Sequence, residues 1–346
     1  MTEALVEKRF ETAGEAKLSF QDHHASSNDD QLEILQGLRQ AQKTINPKFF
    51  YDTHGSELFE LITALPEYYP ARTERSILRD NADEIADYCG REVVLIEPGS
   101  GSSEKVRLLL PALQPKAYVP MDIAGEFLQR AAIKLGGEFP ALDVQAICAD
   151  FSQLPNPPAT LPHGKRVIFY PGSTLGNMTP DEAVIFLSKL RSWLLPSLRE
   201  CSDSVHEHEL AGGVLIGIDL HKENDILTAA YNDQQGVTAE FNLNVLANVN
   251  RLTGANIDVN KFKHHAFYNE QLRRIEMHLI SQQAHNVSVL DEQLSFAQGE
   301  SIHTENSYKY TIESFSELVA RAGFRITKSW LDGDQLFSVH YLQLEQ

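Results

Sequence analysis

Val93-Val94-Leu95-Ile96 is an uninterrupted apolar run that passes directly into Glu97-Pro98-Gly99-Ser100-Gly101, and a helix is expected from Ser103 to about Leu113. The same order recurs along the chain. Tyr118 to Met121 ends in Asp122, Val144 to Cys148 in Asp150-Phe151, Val167 to Tyr170 in Pro171-Gly172-Ser173, and Gly213 to Ile218 in Asp219. Short continuous apolar runs separated by helix-length segments are what a parallel sheet covered on both faces requires. The segment opening with Thr179-Pro180-Asp181-Glu182 has a capping box and proline at the first helical position, and its apolar face is Ala183, Phe186, Leu187, Leu190 and Leu194. The chain closes with a helix at Ile312 to Ala322 and two strands, Phe324 to Leu331 and Leu336 to Leu344, joined by Asp332-Gly333-Asp334. That is hairpin chemistry, so an antiparallel hairpin ends an otherwise parallel sheet.

Composition narrows what such a sheet can bind. With 30 Lys plus Arg against 48 Asp plus Glu among 346 residues, the net charge of −18 disfavours a polyanion, because counterion release needs a concentrated basic surface. No nucleic-acid partner is expected. No apolar run is long enough to span a bilayer, and the first residues lack the apolar stretch of a signal peptide, so no membrane partner and a cytoplasmic location are expected. Cys89, Cys148 and Cys201 show neither disulfide-framework nor zinc spacing. His206-Glu207-His208 lies in an acidic stretch with the wrong period for two ligands on one helix face, so no metal is expected.

Outside the alternating region the pattern changes. Residues 1–30 show little periodicity and are expected to be loosely ordered, followed by a helix from Gln31 toward Gln42. Pro47 to Pro70 concentrates Phe49, Phe50, Tyr51, Phe59, Tyr68 and Tyr69 around a short helix at Ser56 to Ala64. Such density builds a core or a pocket wall, and composition alone favours core. After Lys222 the alternation stops for an Asn- and aromatic-rich stretch to about His265, then a strand from Arg274 to Ile280.

The glycine loop places backbone and a helix N-terminus against a ligand that must come close. The third glycine of a dinucleotide fingerprint is replaced by Glu104, so the NAD motif fails. Glu97, Asp122 and Asp150 stand at successive strand ends and are expected to face one crevice. Asp122 follows the loop by about twenty residues, the distance of a ribose-hydroxyl acceptor. Asp150 and Phe151 are placed to meet an adenine amino group and to stack on its ring. Acidic strand ends without a basic cluster suit a nucleoside that carries a cation, such as S-adenosylmethionine. Any one of these acids alone is as readily a helix cap or a surface charge.

Several strings then converge. Phe50-Tyr51-Asp52, Leu65-Pro66-Glu67-Tyr68-Tyr69-Pro70-x-Arg72-Thr73-Glu74, Gly99-Ser100-Gly101-x-Ser103-Glu104-Lys105, Gly172-Ser173-Thr174-x-Gly176-Asn177 and Tyr231-x-Asp233-x-x-Gly236-Val237-Thr238 resemble those of the histidine Nα-methyltransferases of ergothioneine biosynthesis. The resemblance runs from about Pro47 onward. It implies an α/β fold: a class I, Rossmann-like S-adenosylmethionine methyltransferase sheet with a C-terminal antiparallel hairpin, plus a second, substrate-binding domain. The division expected is 31–75 with 223–310 for substrate and 76–222 with 311–346 for cofactor. By resemblance, Gly99, Ser100, Gly101, Lys105, Asp122, Asp150 and Phe151 hold S-adenosylmethionine, released as S-adenosylhomocysteine, with Tyr51 at its border. Tyr68, Asn177 and Tyr231 hold the carboxylate and α-amine of L-histidine, and Glu305 and Ser307 read its imidazole, with Met277 lining the same side chain. The sequence departs from the family in its longer N-terminus, in the acidic insertion around Cys201 to Glu209, and at Pro98, where leucine is usual.

The imidazole pair also follows from the residues themselves. Positions two apart on an extended segment share a side, so a carboxylate and a hydroxyl at 305 and 307 can approach the two nitrogens of one ring. The expected reaction is attack of the neutral α-amine on the methyl carbon of the sulfonium, repeated to the trimethylated betaine hercynine, by a monomer. Positioning supplies most of the rate; no dedicated base stands out, and Tyr51, a water it orders, or solvent between turnovers is expected to take the amine's proton. Two alternatives remain open: the same fold acting on tryptophan or a modified histidine, and an idle binding module.

Overall fold

The computed structural model describes residues 6–11, 17–23, 28–151, 161, 163–194 and 212–345. Cys201, the His206-Glu207-His208 cluster and the acidic insertion lie outside the described residues. By its contacts the chain forms two compact units, one from Met1–His24, Arg72–Leu220 and Tyr310–Gln346, the other from Ala25–Ala71 and His221–Lys309.

The first unit is built on a 9-stranded sheet. Its order is Val6–Glu11, Lys17–Asp22, Asp143–Cys148, Ala117–Asp122, Val94–Pro98, Arg166–Tyr170, Gly213–Asp219, Phe337–Leu344 and Phe324–Leu331. From Lys17–Asp22 to Gly213–Asp219 neighbouring strands run parallel, and the terminal hairpin adds antiparallel. Every residue of Val94–Pro98, Arg166–Tyr170 and Gly213–Asp219 is buried, the reason these strands read as unbroken apolar runs. Leu95, Val106, Leu128, Val167, Leu215 and Val339 belong to one buried cluster. The helix Pro180–Leu194 starts at the anticipated capping box, with Thr179 N donating to Glu182 Oε2 at 2.8 Å, and buries its expected apolar face.

Two expectations need correction. Residues 1–30 include Lys17–Asp22, a strand that pairs in parallel with Asp143–Cys148 and buries Leu18 and Phe20. Its polar residues alternate with buried ones on an outer strand, so it lacks the apolar run that marks the central strands. The helix expected from Ser103 to Leu113 is instead a 3₁₀ turn, Val106–Leu108, followed by the short helix Leu110–Leu113. Ser103 sits at φ 56°, outside helical space, and Pro111 cannot donate into a continuous helix.

The second unit carries a 4-stranded sheet ordered Lys43–Thr44, Ser301–Tyr308, Arg274–Ser281, Phe262–Asn269, and a 2-stranded hairpin, His285–Val289 with Glu292–Phe296. The stretch after Lys222 contains the 17-residue helix Val237–Thr253. Asp233 caps it, accepting from Val237 N at 3.0 Å and Thr238 N at 2.8 Å, and this pairing holds its carboxyl below the usual range against the cost of burial. Its buried Asn242 and Asn248 are satisfied by hydrogen bonds, which is why a buried helix reads as polar. Among the described residues no helix is long and apolar enough to cross a membrane.

Candidate functional site

In the first unit the glycine loop is shaped by backbone constraints. Gly99 at φ 70° and Gly101 at φ 50° take the left-handed conformation that side-chain-bearing residues avoid. The N–H groups of Gly99 and Ser100 both donate to Met121 O, at 2.7 and 3.0 Å, which ties the loop to the neighbouring strand. Asp122 completes the tie: Oδ2 accepts from Gly101 N and Oδ1 from Ala124 N, each at 2.9 Å. Burial pushes the Asp122 carboxyl up, and the backbone donors oppose that shift. Backbone donors take up part of the acceptor capacity of this carboxylate, and the remainder is open to a ligand hydroxyl. Phe151 stands beside the loop, with a Cβ built on Gly99 only 3.5 Å from its ring.

Glu97 departs from the expectation that it shares this crevice. It is 1% exposed, and its Oε2 accepts from Tyr118 OH, whose oxygen in turn lies 3.0 Å from Ser103 Oγ. Burial pushes Glu97 up to about 8, with the Tyr118 hydrogen bond opposing it, so the carboxyl holds its proton at neutral pH. It braces the loop from beneath. Asp150, two residues after the end of Asp143–Cys148, stands next to Phe151 in the chain.

Sequence reading overlooked Glu74. Its side chain is 1% exposed, pairs with Lys105 Nζ at 2.6 Å, and accepts from Gly172 N with both oxygens at 3.0 Å. A Cβ on Gly217 would stand 1.9 Å from Glu74 Oε1, so the strand floor is glycine where this carboxylate passes. One acid thus fixes a lysine of the first glycine loop and the backbone of the loop that carries Asn177. Asn177 ends the 3₁₀ turn Thr174–Asn177, and among the described residues its amide makes no hydrogen bond. Glu74→Ala is expected to lower stability by about 3 kcal/mol, because it leaves the partly buried Lys105 and the Gly172 N–H without their shared acceptor. Chemical denaturation checks it; an unchanged midpoint contradicts the bracing role.

In the second unit the aromatic segment divides. Phe49, Phe50 and Tyr69 are core, at 4%, 0% and 1% exposure, whereas Tyr51, Phe59 and Tyr68 keep partial access to solvent. Their rings form a chain of edge contacts: Tyr51 to Phe59 at 5.9 Å, Phe59 to Tyr68 at 6.3 Å, Tyr68 to Tyr231 at 6.1 Å. The backbone motif beneath them is forced. Asp52 caps the helix Thr53–Thr63 through Gly55 N at 2.7 Å, and a Cβ at Gly55 would lie 1.8 Å from Phe50 O.

Antiparallel pairing sets Met277 opposite Glu305 and Ile275 opposite Ser307, so Met277, Glu305 and Ser307 share one sheet face. Between Glu305 and His303 the register shifts and Thr304 is the extra residue, its hydroxyl 2.8 Å from Asn242 Oδ1 and 3.0 Å from Met277 O. The bulge turns His303 to the opposite face. There it stacks on His278 at 4.5 Å, and Glu276, bonded to His278 at 3.0 Å, is paired with Arg274 at 2.7 Å. These three potential metal ligands form a paired polar stack on the far side of the sheet from Glu305.

The Glu305 carboxylate has no hydrogen-bond partner among the described residues, although the Glu305 carbonyl lies 3.1 Å from His303 Nε2. Burial pushes it up to about 8, and the charge of Lys309 works against that shift. Ser307 Oγ lies 2.7 Å from Tyr231 OH and 2.7 Å from Lys309 Nζ, and Lys309 Nζ reaches Tyr231 OH at 3.3 Å. Tyr231 is itself fixed: its carbonyl accepts from His264 Nε2 at 2.9 Å, and Asn242 Nδ2 donates to His264 Nδ1 at 2.8 Å. Burial lowers the His264 pKa, which keeps this ring neutral with its proton on Nε2. Lys309, only 3% exposed, was also missed by sequence reading, although the two-residue period linking 305 to 307 continues to 309.

Residues 30–344 match the family of S-adenosylmethionine-dependent, histidine-specific methyltransferases. The chain belongs to that family. This methyltransferase is 41% identical to the histidine N-alpha-methyltransferase of Mycolicibacterium smegmatis over 307 residues, covering 87% of this chain and 90% of the relative. It is 39% identical to the enzyme of that name from Mycobacterium tuberculosis with the same coverage. An L-tryptophan methyltransferase of Psilocybe serbica is 26% identical, over 86% of this chain and 88% of its own. The first unit carries the α/β sheet expected from the sequence, parallel in its centre and closed by an antiparallel terminal hairpin.

The first unit's residues fit S-adenosylmethionine. Ser100 Oγ is buried without a hydrogen-bond partner among the described residues. A Cβ on Gly101 would meet open space, and Asp122 retains acceptor positions beside it.

Proposed function

We propose that this methyltransferase transfers methyl groups from S-adenosylmethionine to the α-amine of L-histidine, stepwise to the trimethylated betaine hercynine of ergothioneine biosynthesis. The observation that carries the substrate choice is the recessed, unbonded Glu305 carboxylate beside the Ser307 hydroxyl on one sheet face. An N–H and a ring nitrogen held as in imidazole satisfy both groups. An apolar side chain leaves both unpaired, which is how a polar site rejects it.

Asp122 is assigned to the ribose hydroxyls, Asp150 and Phe151 to adenine, and Gly99, Ser100 and Gly101 to the close backbone approach. Lys105, anchored by Glu74, is assigned to the cofactor's carboxylate. When bound, S-adenosylmethionine supplies an electrophilic methyl on a sulfonium to the neutral amine. Tyr68, Tyr231 and Asn177 are assigned to the carboxylate and amine of histidine, and Met277 to one face of its side chain. Tyr51 is assigned to orienting the amine or relaying its proton. The tyrosine ring faces suit an ammonium that gains methyl groups, because quaternary nitrogen is attracted to π-faces.

The test is mass spectrometry of histidine incubated with the protein and S-adenosylmethionine. Successive methyl additions are expected; no mass gain contradicts the reading.

A pH dependence follows. Free imidazole titrates near ~6.5 and an α-amine near ~8, and Glu305 titrates at about 8. The productive forms are neutral ring, neutral amine and ionised Glu305, all favoured by higher pH. The value of kcat/KM for histidine is therefore expected to rise from pH 6 to about 9 by more than tenfold. A flat profile contradicts the assignment.

A further inference from the structure

Tyr231, Ser307 and Lys309 form a triangle of polar atoms on the sheet face that carries Glu305. A lysine ammonium has donors only, so the 2.7 Å contact makes Ser307 Oγ an acceptor toward Lys309. The same ammonium donates to the Tyr231 oxygen at 3.3 Å and lies 5.1 Å from the centre of its ring. Donation into a phenol oxygen makes its O–H the stronger acid of the two hydroxyls. Across the 2.7 Å Tyr231–Ser307 contact, Tyr231 is then the donor. Ser307 Oγ receives two hydrogen bonds and fills both lone pairs, leaving its own proton for a third group.

We infer that Lys309 is the positioning residue that fixes Ser307 as a hydrogen-bond donor, so that the site reads a ring carrying one N–H toward Glu305 and one bare nitrogen toward Ser307. The inference rests on the assignment of Glu305 and Ser307 to the substrate ring, and it deepens that assignment from two nitrogens to a polarity. Without Lys309, Ser307 can turn its proton to Tyr231 and present a lone pair instead, and a ring with only N–H groups becomes acceptable. The chain thereby discriminates by what the ring lacks as well as by what it offers: a pyrrole or indole has no acceptor, and the Ser307 proton is left unpaired in the bound state. Lys309 also lowers the cost of holding a negative charge at Glu305.

The experiment compares L-histidine with a pyrrolylalanine, which keeps an N–H and replaces the accepting nitrogen by C–H. The readout is the ratio of their kcat/KM values in the wild type, Lys309→Met, Lys309→Gln, Lys309→Arg and Ser307→Ala. General damage to the fold slows both substrates together and leaves the ratio unchanged. The wild type is expected to favour histidine by at least about a thousandfold. Lys309→Met and Lys309→Gln are expected to cut that ratio at least about tenfold, mainly through a raised KM for histidine, as is Ser307→Ala. Lys309→Arg, which keeps a donor-only cation, is expected to restore most of it. A wild-type ratio near one, or a ratio that survives in both Lys309→Met and Lys309→Gln, overturns the inference while the histidine reading stands. Failure of the wild type to turn over histidine overturns both.

Discussion

Replacing Glu305 with alanine is expected to reduce kcat/KM for histidine about a hundredfold or more and to erase its advantage over other amino acids. A charge-assisted hydrogen bond to a buried carboxylate is worth up to ~3 kcal/mol, which is about two powers of ten in rate. Glu305→Gln keeps the shape and one acceptor, so a loss of about tenfold is expected. The same carboxyl has an opposite effect on stability. Its folded-state value of about 8 lies above the unfolded value of ~4.3, so the stability it contributes is fully present below ~4.3 and is lost as pH rises through about 8. Glu305→Gln lacks that dependence. The variant is expected to melt at a higher temperature than the wild type at pH 8.5, where the wild type ionises this part-buried group, and at nearly the same temperature at pH 4. Calorimetric scans at both pH values check this; equal melting at pH 8.5 contradicts the upward shift of the Glu305 carboxyl.

Asp122→Ala is expected to weaken S-adenosylmethionine binding about a hundredfold or more, read by calorimetric titration. The carboxylate acts twice. It ties Gly101 N and Ala124 N at 2.9 Å each, and its remaining acceptor positions are those proposed for ribose. Alanine leaves both backbone donors without their partner and frees the loop, whose left-handed Gly99 and Gly101 depend on such ties. Asp122→Asn keeps one acceptor oxygen and turns an amide donor toward one of the backbone N–H groups, so an intermediate loss is expected. Unaltered affinity in Asp122→Ala contradicts the cofactor assignment.

The central sheet was legible because its strands are buried on both faces and therefore read as unbroken apolar runs. The terminal hairpin was legible from Asp332-Gly333-Asp334, where Asp332 accepts from Asp334 N at 3.0 Å and from Phe337 N at 2.8 Å. Lys17–Asp22 was not, since it is an outer strand with polar residues between its buried ones. Nor was Val237–Thr253, because hydrogen bonds let asparagines sit in its buried face. At the candidate site the strand-end acids were visible, but burial separates them. Glu97 passes under the loop to Tyr118, whereas Asp122 ties the loop itself. Nothing in a linear string marks Glu74 as the acid that joins Lys105 to Gly172, as that join spans segments far apart in sequence. The Thr304 bulge was equally hidden, and it sets His303 and Glu305 on opposite faces although they stand two residues apart.

The measurement closest to the central claim is a one-pot competition. The purified protein is given S-adenosylmethionine with a labelled methyl group and an equimolar mixture of free amino acids including histidine and tryptophan, and the products are resolved by mass spectrometry. Label in mono-, di- and trimethylated histidine, with none in tryptophan, is the expected result. Label in tryptophan in preference to histidine, or in no amino acid, would contradict the assignment of Glu305 and Ser307 to an imidazole.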